Sequence, residues 1–127
     1  MTFRYVLTQY LMRIPNDDNA TLLRVQRSAD KIAYRLKETF NTFDFIQLLN
    51  RDELLDCFLH QLTLDSLHWH VIFSILSVAK LMYERCIMHD QGSRVNEIIE
   101  KVSSFMTNND IESWIENLGG WENITHY

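Results

Sequence analysis

Apolar residues recur at steps of three and four along most of this chain, the spacing that places them on one face of a helix. Phe3, Val6, Leu7, Tyr10 and Leu11 form the first such stripe and predict a helix from Thr2 to Met12. Pro15 and the polar run Asn16-Asp17-Asp18-Asn19 close it. Asn19 is placed to cap a longer second helix reaching about Phe40. The apolar stripe of that helix is Leu22, Val25, Ala29, Ile32, Leu36 and Phe40, with Arg24, Arg27, Lys31 and Glu38 on the opposite face. Phe43 to Leu49 reads as one or two irregular turns, and Asn50 as the cap of a helix from Arg51 to about Leu62. Asp52 and Glu53 suit its first turn, where the helix dipole is positive. Asp65 or Ser66 would cap the next helix, Leu67 to Arg85, which is apolar almost all round and so belongs at the centre of a bundle. Gly92-Ser93 breaks the chain before a helix from Arg94 to about Met106. Asn109 and Glu112 have capping-box spacing for a short helix through Asn117. Gly119-Gly120 must turn sharply before a last turn at Trp121.

Composition narrows the fold. Three glycines and one proline in 127 residues cannot supply the turns of a sandwich or barrel. The expected class is all-α: one domain over residues 1–127, with seven or eight helices around a hydrophobic central helix. A net charge of −5 with no basic cluster argues against nucleic acid as the main partner. Two cysteines, Cys57 and Cys86, make no disulfide framework and suit a reducing compartment, where both read as small apolar residues. The N-terminus lacks the apolar core of a signal peptide. Asp110, Glu112, Glu116 and Glu122 near the C-terminus speak against a membrane anchor, so a soluble intracellular protein is expected.

Candidate chemistry changes little. The histidines His60, His68, His70, His89 and His126 fall into no HExxH pattern, and the cysteines into no CxxC. His68 and His70, two apart on a helix, should point roughly 200° away from each other and could not grip one ion. No catalytic residue, metal site or cofactor is expected. Trp114 and Trp121 around the glycine pair read as a packed corner.

Two segments carry a resemblance. Trp114-Ile115-Glu116-Asn117-Leu118-Gly119-Gly120-Trp121-Glu122 resembles the second homology motif of the Bcl-2 family: Trp-Ile, three variable residues, Gly-Gly-Trp and an acid. Val25-Gln26-Arg27-Ser28-Ala29-Asp30-Lys31-Ile32 resembles the third, BH-3, in which Val25, Ala29 and Asp30 hold the large apolar, small and acidic positions. Leu67-His68-Trp69-His70-Val71-Ile72 stands where the first motif, usually Asn-Trp-Gly-Arg, is found, and only Trp69 matches it. The order and spacing extend the resemblance from about Val25 to Ile124. With no long loop after the first helix and no membrane tail, the chain is similar to compact homologues of large DNA viruses.

The resemblance implies a surface groove that takes the amphipathic BH-3 helix of pro-apoptotic host proteins, Bim-like ligands included. Carried over by position, Ile32, Leu36, Phe40 and Phe43 line one side, and Phe58 and Leu62 face them. Trp69, His70 and Val71 form the floor and polar end, with Ile124 nearby. The implied function is anti-apoptotic and non-enzymatic, in the host cytoplasm with peripheral association at mitochondria. A pro-apoptotic or non-apoptotic signalling role on the same fold is the alternative. His70 replaces the motif Gly, and Val71 the motif Arg that pairs with the ligand's Asp, so a narrow ligand range is expected. An empty apolar groove also invites a homodimer.

Overall fold

The structure is a computed structural model that describes residues 1–12, 19–64 and 66–126, with side chains as far as Ile124. The helix breakers Pro15 and Asn16 to Asp18 and the candidate cap Asp65 lie outside the described residues. Among the described residues there are seven α-helices and no strand. They are α1 (Phe3–Met12), α2 (Ala20–Thr39), α3 (Ile46–Asn50), α4 (Asp52–Leu62), α5 (Trp69–Met88), α6 (Val95–Asn108) and α7 (Ile111–Asn117). Short 3-10 segments occupy Gly92–Arg94 and Trp121–His126.

The central helix is α5. Its residues from Val71 to Ala79 are buried without interruption, and α1, α2, α3, α4 and α6 all pack against it. A helix apolar on every side gains most by being surrounded, at roughly 1.5–3 kcal/mol for each large side chain removed from water. Among the described residues no helix is long and apolar enough to cross a membrane.

Asn19 caps α2 as expected, its side-chain oxygen accepting from the Leu22 N–H at 3.1 Å. Two other starts differ, because the expected caps serve other partners. Asn50 Oδ1 accepts from Arg94 at 2.7 Å, and α4 begins one residue later, at Asp52. Asn109 donates to the Phe105 carbonyl at 2.9 Å, and Asp110, in the left-handed region at φ 58°, precedes α7. Glu112 reaches across to accept from the Phe3 N–H at 2.8 Å, tying the start of α1 to α7. The stretch expected to be irregular contains α3, whose start Asp44 secures by accepting from the Ile46 N–H at 3.2 Å. The central helix starts at Trp69, two residues later than its pattern suggested, with His68 extended before it.

Candidate binding groove

The α2 stripe has two halves. Leu22, Val25 and Ala29 are fully buried against the core. Ile32 is 7% exposed, Leu36 is half-buried and Phe40 is 39% exposed. The helix thus leaves the core as it runs, and its last apolar residues emerge beside α4.

There they meet aromatic rings. Phe58 of α4 lies 6.0 Å from Phe40 edge to face, 6.4 Å from Phe43 stacked, and 6.3 Å from Phe45. Phe43 and Phe45 stand 5.1 Å apart, nearly perpendicular. Edge and offset contacts of this kind add about 0.5–1.5 kcal/mol per pair beyond burial. The four phenylalanines therefore fill the space between the exit of α2 and α4. Leu36 and Leu62 are half-buried and pack, like Phe43 and Phe58, against the core. Asp44 anchors this end, taking Arg85 Nε at 3.0 Å, and that guanidinium lowers its carboxyl pKa.

Ile32 is one of four residues assigned to the groove that are buried. Trp69, Val71 and Ile124 are 9%, 6% and 1% exposed and belong to the core. For Trp69 the reason is a cluster of the chain's three tryptophans. Trp69 sits 5.5 Å from Trp121 and 5.7 Å from Trp114, so the first and second motifs pack on each other. Gly119 and Gly120 make that contact reachable by turning the chain at φ 97° and 90°, a region costly for residues with a Cβ. A Cβ on Gly119 would also meet the Asn123 amide at 3.3 Å.

His70 is exposed at the mouth of α5. The His68 and His70 rings lie 5.9 Å apart rather than on opposite sides, because His68 precedes the helix and does not follow its rotation. Partial burial, then the nearby charges of His68 and Arg35, lower the His70 pKa. Among the described residues no three His, Cys, Asp or Glu side chains converge as a metal site would require. Cys86 is buried, and that burial raises its thiol pKa, but Cys57 is exposed on α4 rather than packed as a small apolar residue.

The BH-3-like motif of α2 faces inward. Val25 and Ala29 are in the core, and Ser77 Oγ of α5 lies 2.7 Å from the Ala29 carbonyl oxygen. Asp30 accepts from Lys80 of α5 and, at 2.9 Å, from the Tyr10 hydroxyl of α1. The Lys80 ammonium also stands 5.2 Å above the Tyr10 ring. In the sequence Tyr10 reads only as part of the apolar stripe of α1, and Lys80 has no role; a cation following the largely apolar run of α5 was the available signal.

Beyond Ile32 the surface opens into a recess bordered by Arg24, Arg27, Lys31 and Arg35 of α2 and by His70. A second recess, between α4 and α6, is rimmed by Asp52, Glu53, Asp56 and Glu100.

Residues 25–121 match the Bcl-2 family, described as apoptosis regulator proteins. Among solved structures, that of chicken BOK superposes with a TM-score of 0.69 at 18% identity, covering 98% of this chain and 91% of that one. No curated protein matches in sequence.

Proposed function

This chain belongs to the Bcl-2 family of apoptosis regulators, and from that premise we propose that it is a non-enzymatic, anti-apoptotic member that sequesters the BH-3 helices of pro-apoptotic host proteins. The observation that carries the reading is the asymmetry of α2. The small and acidic residues of its motif, Ala29 and Asp30, are engaged inside the chain by Ser77, Lys80 and Tyr10. Its later apolar residues are progressively less buried: Leu36 is half-buried, and Phe40 is 39% exposed with its ring against Phe58. The folded chain therefore withholds its own motif and presents a receiving face.

The ligand range is narrow in this reading. Val71, in place of the motif Arg, is buried and uncharged, and exposed His70 stands where a glycine would let a helix approach closely. The apolar anchors carry most of the affinity. Seven residues separate α1 from α2, which fits the compact form of large-DNA-virus homologues, and the site of action is the host cytoplasm, at the mitochondrial surface. With Phe40 part-exposed, a homodimer through the same face competes with ligand.

Calorimetry against a panel of BH-3 peptides tests the reading, alongside cell-death rescue on expression. Saturable one-to-one binding to a subset, with rescue, is the expected result. Binding to none of the panel would overturn it, and accelerated death would favour a pro-apoptotic role.

A further inference from the structure

The net charge of −5 hides a segregated cation row. Arg24, Arg27, Lys31 and Arg35 follow one another on α2 at steps of three and four. At 100° per residue they fall within an arc of roughly 80°, and they span about 16 Å of helix. All four are exposed, and none makes an ion pair or hydrogen bond with a described residue. Five other cations are paired: Arg4 with Glu100, Lys80 with Asp30, Arg85 with Asp44, Arg94 with Glu97 and Lys101 with Asp52. The row also borders the recess whose inner wall is Ile32 and His70.

That recess adjoins the apolar stripe of α2. Phe40, Leu36 and Ile32 step along the helix toward it, and Ile32 lies in its wall beside His70. A helix lying on the apolar line must leave past Ile32, and its next residues then run beside Arg27 and Arg24. We infer that the cation row of α2 is a second, electrostatic docking surface that takes an acidic flank of the partner helix, a segment rich in Asp or Glu adjoining its apolar face. The inference rests on the groove reading above and adds the partner's chemistry. A recess with an apolar wall suits a peptide flank better than a flat lipid surface, to which a convex row would suffice. The surface acts mainly on encounter, because opposed charges speed association and fix register more than they tighten the final complex.

The test uses the full chain and an amphipathic BH-3 peptide, alone and extended at either end by a short run of glutamates. At low salt, extension at one end should strengthen binding about tenfold, chiefly through the on-rate. The gain should vanish as sodium chloride rises toward 1 M, where the screening length shrinks to about 3 Å. It should also vanish in Arg27→Glu/Lys31→Glu, and in the milder Arg27→Gln/Lys31→Gln, while both variants bind the plain peptide as before. A gain at neither end, or one that survives both variants, overturns the inference and leaves the groove reading standing. Failure of plain and extended peptides alike removes both. Binding of the extended peptide alone, lost in the variants, keeps the cation surface and removes the groove. Phosphatidylserine vesicles captured by the native chain but not by the variants, with no effect of peptide extension, would assign the row to lipid and overturn the inference.

Discussion

Ala29 is fully buried where α2 meets α5, and Ser77 Oγ lies 2.7 Å from its carbonyl oxygen. A larger side chain there must push the two helices apart. Ala29→Leu is expected to cost about 1–3 kcal/mol through overpacking, and to lower the thermal midpoint; an unchanged midpoint would mean that the contact has slack. Glu97 shows a charge effect at the same scale. It accepts from Arg94 at 2.8 Å and lies 3.2 Å from Lys101, and these partners lower its pKa from 4.5 to about 2. A carboxylate whose pKa is lower in the folded chain stabilises above its ordinary value and loses that contribution as pH falls toward the folded value. The window here is therefore about pH 4.5 down to 2. Asp44 and Glu100, lowered by Arg85 and Arg4, act in the same direction. Urea unfolding of Glu97→Gln at a series of pH values should show a shallower acid loss than the native chain; an identical slope would exclude Glu97 as a contributor.

Between elements, the decisive joint is the exit of α2. Asp44 holds α3 through the Ile46 N–H and α5 through Arg85, and so sets where Phe43 and Phe45 sit. Asp44→Ala is expected to cost about 1 kcal/mol, the usual cost of losing a helix-start acceptor, and to loosen the aromatic cluster. The near-ultraviolet circular dichroism of the phenylalanines would weaken at constant helix content. The long helices were readable from periodicity because burial of one face imposes it. The five-residue α3 was not, since a single turn has no period to detect. Starts differ where Asn50 and Glu112 find partners far along the chain, and no local pattern announces Arg94 or the Phe3 N–H, while Asn109 turns back to the Phe105 carbonyl at the end of α6. The groove was half readable. Periodicity marked Ile32, Leu36 and Phe40 as one stripe with the core, and only the tilt of α2 out of the bundle separates them. By position, Trp69 and Val71 go to the groove's floor and polar end with Ile124 nearby; all three are buried in the core, Trp69 against Trp114 and Trp121.

For the molecule as a whole, the bundle around α5 separates two ends of one apolar line: a phenylalanine end at Phe40, Phe43 and Phe58, and a cation end at Ile32, Arg27 and His70. The tryptophans give this division an optical consequence. All three cluster around Trp69, next to His70, and none borders the phenylalanine end. Their emission therefore reads the state of one corner only. A peptide fragment confined to the phenylalanine end should leave that emission unshifted even at saturation, whereas one long enough to pass His70 should shift it. Titrating peptides trimmed residue by residue, and comparing fluorescence with calorimetric heat, would show how far along the line each one reaches. A shift from the shortest fragment that still binds would mean that the two ends are mechanically joined, with the indole cluster acting as a strain gauge for the whole bundle.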